Sequence, residues 1–316
     1  MNVGAPTFRR YPWRGFIPRR TLNEVVKVGK VATTQKAVLI TGGTDGFGKA
    51  AALLLARKHY LVYAAGRSVH KREELERQAH EERLAIRTLE MDVCDDASVQ
   101  IAVEVVLEKA GGIDVLINNA GVGYMGVVEE LRLSDFRRQF ETNFFGVIRV
   151  TKAVLPQMRS RQSGRILMIS SAAAFVSPPT YGAYSASKHA LEGLSNALRL
   201  EMYRFGVQVI LIEPGYIATN FQATAKELAQ PYAEKAAQSP YAEIYAGTWA
   251  ASNASRAKSK ATPEDCARVM LKAIEATHPK ARYTVTSLTR WLALGKRILP
   301  DSALDSIMRK RFGVVR

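Results

Sequence analysis

A doubly wound α/β fold, one parallel sheet with helices on both faces, is what this sequence predicts. Three observations predict it. From Lys36 onward, short β-type runs alternate with longer stretches of helical spacing. The short runs are continuously apolar, as in strands covered on both faces. The first of them leads straight into a glycine-rich turn that opens the first helical stretch, Thr41-Gly42-Gly43-Thr44-Asp45-Gly46-Phe47-Gly48.

The elements follow in order. Strand-like runs occur at Ala37–Thr41, Leu61–Ala65, Ile86–Met91, Ile113–Asn118, Arg165–Ser170 and Val207–Glu213, with a last one at Arg282–Thr286. Between them, helical spacing covers Gly46–His59, Arg72–Arg83, Asp96–Ala110, Leu131–Arg161 and Tyr184–Phe205. Right-handed crossovers then give about seven strands in the order 3-2-1-4-5-6-7. Residues 220–262 break the rhythm with Pro231, Pro240 and several aromatic residues, and read as a long insertion of the substrate-lid kind. Beyond Ser287, apolar residues sit among basic ones and are interrupted by Pro300, which predicts two short amphipathic helices. The domain reading is therefore a basic arm over 1–35, a catalytic domain over 36–286 that includes the lid, and a basic amphipathic tail over 287–316.

Composition bounds the function. With 316 residues, 47% of them hydrophobic and 23% charged, the chain has the make-up of a globular protein with a sizeable core. Cys94 and Cys266 are the only cysteines and stand far apart, which argues against a disulfide framework or a zinc site and for a reducing, cytoplasmic setting. No apolar run approaches the roughly 18 residues of a membrane span. The net charge of +16 is concentrated at the ends: residues 1–36 and 278–316 carry +7 each, leaving +2 for the body. No nucleic-acid-binding motif accompanies these ends, so no nucleic-acid partner is expected. Contact of the basic tail with a membrane surface is the sharper alternative to solvation. The first 36 residues are Arg-rich and acid-poor like an organellar transit peptide, but they contain no Ser, which weakens that reading.

The glycine turn has a chemical rationale. A tight strand-to-helix turn needs residues without a Cβ, and the exposed N–H groups of the helix start attract a pyrophosphate. Gly42, Thr44, Gly46, Phe47 and Gly48 are thus candidate cofactor residues. The second strand ends in Gly66-Arg67, where an acid would hold the ribose 2′-hydroxyl of NAD. A guanidinium there can grip a 2′-phosphate instead, so NADP(H) is preferred, with NAD(H) the alternative. Asp92 and Val93 end the third strand beside the expected adenine position, and Asn119, Ala120 and Gly121 follow the fourth at the crevice where such sheets bind ligands.

Tyr184 and Lys188 are four residues apart and share one helix face, with Ser171 thirteen residues upstream just beyond a strand. A phenol titrates near 10 in water. An ammonium nearby, helped by oxidised nicotinamide, is expected to favour the phenolate and bring it into acid–base range. These motifs together resemble the short-chain dehydrogenase/reductase family over about residues 36–222: the glycine turn, Asp92, Asn118-Asn119-Ala120-Gly121, Asn143, Ser171, Tyr184 with Lys188, and Pro214-Gly215 followed by Thr219. The resemblance implies a Rossmann-type sheet and direct hydride transfer without a metal. It implies Tyr184 as general acid/base, Ser171 as the group orienting the substrate oxygen, and Lys188 as binding the nicotinamide ribose. Asn143 would hold a relay water, and Pro214, Gly215, Ile217 and Thr219 would line the nicotinamide pocket. The family pattern departs here at Ala173-Ala174, which lacks the frequent glycine, and at Phe47, where Ile or Leu is common.

The expected reaction interconverts a secondary alcohol and a ketone or aldehyde. Aromatic residues within 175–181 and 216–250 point to a lipophilic substrate such as a steroid, retinoid or fatty-chain ketone, in line with steroid- and retinol-type members. Reduction of a 3-oxoacyl group on an acidic carrier, and a catalytically silent NADP-binding sensor or scaffold, are the alternatives. The resemblance also implies a homodimer or homotetramer formed through the helices that carry Asn143 and Tyr184.

Overall fold

The computed structural model describes residues 35–314, apart from the side chain of Arg256. The arm expected over 1–35 lies outside the described residues, Gln35 excepted. Seven strands are present: β1 (Ala37–Thr41), β2 (Leu61–Gly66), β3 (Ile86–Glu90), β4 (Val115–Asn118), β5 (Gly164–Ile169), β6 (Val207–Glu213) and β7 (Arg282–Thr284). They are all parallel and stand in the order β3-β2-β1-β4-β5-β6-β7, as the sequence predicts.

Burial explains the unbroken apolar runs. Successive strand residues point to opposite faces, and each face has its own core. Val38 and Ile40 join α1 (Gly46–Arg57) and α9 (Pro263–Glu275) on one side. Leu39 joins α3 (Asp96–Ala110), α5 (Gly146–Ser160) and α6 (Gly182–Tyr203) on the other. Every residue of β1 is buried, and each large one contributes about 1.5–3 kcal/mol by leaving water.

Three elements depart from the sequence expectation in ways that shape the fold. The second helix, α2 (Val69–Glu81), starts earlier because Ser68 caps it, accepting a hydrogen bond from the Lys71 amide at 3.3 Å. The single helix expected over 131–161 is instead α4 (Leu133–Phe140), a π turn (Glu141–Phe145) and α5. That widened turn carries Asn143, and the turn before it carries Gln139; both side chains are fully buried against the loop after β4. The last strand stops at Thr284, two residues short of the expected Thr286.

Residues 220–262 are not irregular either. They form α7 (Asn220–Ala233), a 3-10 turn (Ala236–Gln238) and α8 (Ala242–Lys258). Pro231 falls inside α7, and Thr219 and Gln222 start the helix with a reciprocal capping box. The tail forms α10 (Ser287–Ile298) and α11 (Asp301–Phe312), which meet at the break set by Pro300. No helix among the described residues is long and apolar enough to cross a membrane.

Candidate active site

The site lies along the carboxyl edge of the sheet, and its glycine turn is defined by lack of room. Gly42 and Gly46 have φ of +60° and +50°, where a side chain is strained. A Cβ on Gly48 would collide with the Gly42 carbonyl oxygen, and one on Gly43 would come within 2.8 Å of the Ala64 Cα. Asp45 caps α1 and accepts from the Gly46 amide at 2.7 Å. Its carboxyl also takes a very short bond from Lys71 and one from Asn220 at 2.9 Å. Burial acts against the Asp45 charge, but these donors prevail and hold the carboxyl below its usual range.

Asn119 braces this turn from behind. Its Nδ2 donates to the carbonyls of Thr41 and Gly42, both at 3.0 Å. The backbone amides of Asn119 and Ala120 donate to Thr41 Oγ1, also at 3.0 Å. The predicted residues Gly42, Arg67, Asp92, Val93, Ala120 and Gly121 line one cleft. Thr41, Gly66, Cys94, Val122 and Thr142 line it as well and were missed; the first four are neighbours of the predicted positions at the same strand ends, and Thr142 precedes Asn143 in the π turn.

The tip of β2 decides what the cleft can grip. A Cβ on Gly66 would lie 2.6 Å from Thr44 Oγ1, so the turn itself occupies the space an acid would need. Arg67 is 70% exposed and only loosely paired, with Nη1 3.5 Å from Asp92 Oδ2. Arg72 fixes the loop by donating to the carbonyls of Gly66 and Arg67 at 2.9 and 3.0 Å. Lys71, which sequence reasoning did not single out, adds a second cation beside the turn through its pairing with Asp45.

The second cluster is built on β5 and α6. Ser171 follows β5 and caps a 3-10 turn (Ala172–Ala174), accepting from the Ala173 amide at 3.1 Å. Thr180, with φ +64° for a β-branched residue, holds the strained bend that delivers Tyr184 into α6. The Tyr184 ring is partly accessible while its hydroxyl end lies deep among protein atoms. Burial pushes the phenol up to about 12, and the Ser171 hydroxyl within its reach counteracts part of that rise. Lys188 Nζ sits 5.8 Å from the Tyr184 ring centre and donates to the Ile169 carbonyl at 2.7 Å. Burial brings the lysine down to about 8, opposed by the nearby Glu192 carboxylate. The lowered phenol expected from the Tyr–Lys spacing includes the help of oxidised nicotinamide; among the chain's own groups, desolvation dominates and raises it.

Asn143 is fully buried, and its side chain is bonded within the protein. Its Oδ1 accepts from the Val122 amide at 2.9 Å, and its Nδ2 donates to the Val122 carbonyl at 3.0 Å and to Ser187 Oγ at 3.3 Å. The side chain thus positions the Val122 loop. Pro214 accepts from the Ala172 amide at 2.8 Å, which ties the β6 turn to the Ser171 turn. Gly215 has no space for a side chain beside Thr286 and Thr289. Ile217 is 1% exposed and belongs to the core under α1, while Thr219 rests against Gly46 at the start of α7. Phe47 packs on the same core.

The aromatic residues divide into two groups. Tyr181 and Phe221 stand against the Tyr184 ring at 6.4 and 5.6 Å between centres. Tyr232, Tyr241 and Tyr245 instead donate their hydroxyls to Asp135, Glu129 and Glu130, anchoring the 220–258 helices to the α4 side. Of the aromatic residues that pointed to an apolar substrate, these three are structural.

One further cluster was missed. Ser170 Oγ donates to Glu192 Oε1 at 2.5 Å, and Arg282 pairs with both Glu192 and Glu213, the latter at 2.7 Å. Glu192 lies one helical turn after Lys188, so this ionic clamp fixes the face of α6 that carries Lys188 to β5, β6 and β7. Among the described residues no group of His, Cys, Asp and Glu could hold a metal ion.

With this geometry in place, comparison is informative. Residues 36–230, which contain the glycine turn and the Ser171–Tyr184–Lys188 cluster, match the short chain dehydrogenase family. The chain belongs to the short-chain dehydrogenase/reductase family. Family relatives include retinol dehydrogenase 8 of Bos taurus, 34% identical over 87% of this chain and 89% of the relative. The NADPH-dependent 3-dehydrocapnine reductase of Ornithobacterium rhinotracheale is 33% identical over 86% of this chain and 95% of its own. Among solved structures, a short-chain dehydrogenase from Streptomyces avermitilis superposes with a TM-score of 0.67 at 28% identity, covering 88% of this chain and 95% of that one.

Proposed function

We propose that this short-chain dehydrogenase/reductase is an NADP(H)-dependent oxidoreductase that interconverts a lipophilic secondary alcohol with its ketone, or an alcohol with its aldehyde. The observation that carries the reading is the convergence of Ser171, the Tyr184 hydroxyl and Lys188 at the sheet edge that also holds the glycine turn. The residues fit a dinucleotide. Gly42, Gly43, Gly46 and Gly48 clear a cradle that a Cβ would fill, and the start of α1 presents its amides there. Arg67 and Lys71 stand where a 2′-phosphate would need cations, and Gly66 excludes a competing acid. A bound nicotinamide ring supplies the hydride donor or acceptor.

The chain's own residues handle the proton and the oxygen. Ser171 donates to the substrate oxygen and orients it. Tyr184, protonated throughout the neutral range because burial raises it to about 12, delivers a proton to that oxygen during reduction. Lys188 is charged below about 8 and steadies negative charge on the phenol as the proton leaves. Tyr181, Phe221 and Met125 give the substrate side an apolar wall, with α7 and α8 as its lid. The relatives named for retinol oxidation and for an NADPH-dependent reduction support the substrate class and the cofactor. Exposed Phe145, Leu200 and Tyr203, near Asn143 and on α6, are the surface on which a second copy would pack.

A panel of apolar and polar carbonyl compounds, followed by cofactor absorbance with NADPH and NADH, tests the reading. The expected result is turnover of apolar ketones or aldehydes with NADPH, reduced at least about a hundredfold in Tyr184→Phe. Activity that survives Tyr184→Phe, or turnover confined to small polar sugars, would overturn it.

A further inference from the structure

Helix α10 turns a bare apolar strip to solvent. Leu288, Trp291, Leu294 and Ile298 recur at three- and four-residue spacing and share one face, with exposures of 47, 68, 44 and 68%. Leu299 extends the strip at 39% exposure. The protein body uses the opposite face: Thr289 is fully buried and bonds with Thr286, and both crowd Gly215. Packing among the described residues therefore does not account for the strip. A contiguous apolar patch of this kind, with a tryptophan at its centre, marks an interaction surface.

The charges beside it narrow the partner. Arg290, Lys296 and Arg297 are exposed on the same helix, and α11 ends in Arg309-Lys310-Arg311. Against these six cations, residues 287–314 hold two acids, Asp301 and Asp305, and Asp301 already pairs with Lys296. A second copy meeting this face would bring like charges together. An anionic bilayer offers both things the face wants, an apolar layer and phosphates above it. Tryptophan and long basic side chains are suited to that boundary, with the ring in the interface and the cations reaching the headgroups.

We propose that α10 seats this protein on an anionic lipid surface, with Trp291 and Ile298 in the interfacial layer and the basic residues of α10 and α11 against the headgroups. The inner face of the same helix packs on β7 and on the Ala172–Ala174 turn that follows Ser171. The lipid layer and the catalytic serine are thus separated by little more than one helix diameter, about 10 Å. An apolar substrate dissolved in the bilayer has a short path to the pocket. This last point rests on the proposed function; the attachment itself does not.

Co-sedimentation of the full chain with vesicles of phosphatidylcholine, with and without phosphatidylserine, tests the proposal. Binding to the phosphatidylserine vesicles is expected to exceed that to phosphatidylcholine alone by at least about tenfold and to fall with added salt. The double variant Trp291→Asp with Ile298→Asp should lose at least about tenfold in binding, with its melting curve and hydrodynamic mass unchanged. Arg290→Glu with Arg297→Glu, which leaves the apolar strip intact, should remove most of the salt dependence. Three results would overturn the proposal: no wild-type binding to either vesicle, full binding by the aspartate variant, which would assign attachment to basic residues elsewhere, or a drop in that variant's mass, which would make the strip a contact between copies.

Discussion

The turn at Gly42–Gly48 and the Arg282 clamp hold two parts of one site by opposite means. In the turn, stability comes from absence: glycines let Ala64, Gly42 and Asn119 approach to distances a side chain would forbid. In the clamp, it comes from presence: one guanidinium pairs with two carboxylates that are 11% exposed or less, each on a different element. The glycines of the turn are therefore sensitive to added volume, whereas the clamp is sensitive to lost charge and coupled to proton binding.

The largest effect is expected at the clamp. Arg282→Met leaves Glu192 and Glu213 buried without their partner and should lower unfolding stability by about 3–5 kcal/mol in denaturant titrations. Burial, opposed by Arg282, already raises the Glu213 carboxyl. The folded chain then keeps that proton to a higher pH than the unfolded chain does, and stability falls as pH rises through the raised value. Losing Arg282 removes the opposition, so the variant should be weakened least in acid and most at neutral pH. A pH-independent loss would mean that the carboxylates are not what the guanidinium serves.

Next comes the turn. Gly48→Ala drives a methyl into the Gly42 carbonyl and should cost about 1–3 kcal/mol, equally at every pH, while abolishing measurable NADPH binding in a fluorescence titration. Arg67→Ala should leave folding unchanged and raise the KM for NADPH about tenfold, with the KM for NADH unmoved. An unchanged NADPH KM would remove Arg67 from the phosphate position and leave Lys71 as the candidate.

Smaller effects separate catalysis from scaffold. Because Lys188 titrates near 8, the rate of carbonyl reduction should be flat below that pH and decline above it as the ammonium is lost. In Lys188→Arg, which stays charged, the decline should move to more alkaline pH in a kcat profile. Tyr241→Phe removes an exposed bond to Glu129 on the anchored lid and should change the melting stability by under about 1 kcal/mol.

The same contrast explains what could be read from the sequence. Strands β1 and β6 were legible because both faces of each residue run are buried, which forces continuous apolar character. The glycine turn was legible because its steric demand is local and written in eight consecutive residues. Asn143 was singled out, yet its bonding to Val122 was not foreseen, since that depends on a π turn with no pattern of its own. The helices over 220–258 were hidden by Pro231 and by tyrosines whose partners, Asp135, Glu129 and Glu130, lie about a hundred residues upstream. Ser170, Glu192, Glu213 and Arg282 each look ordinary alone; only the sheet order makes them one group.

The family match ends at residue 230, yet Arg282 and the two threonines that crowd Gly215 come later in the chain. The stretch that carries the family pattern and the stretch that completes the support of the site are thus different lengths of polypeptide here. A fragment cut at the edge of the shared block would keep the chemistry-bearing side chains but strand Glu192 and Glu213 without a counterion. Engineering that swaps tails between relatives has to carry the arginine along with them.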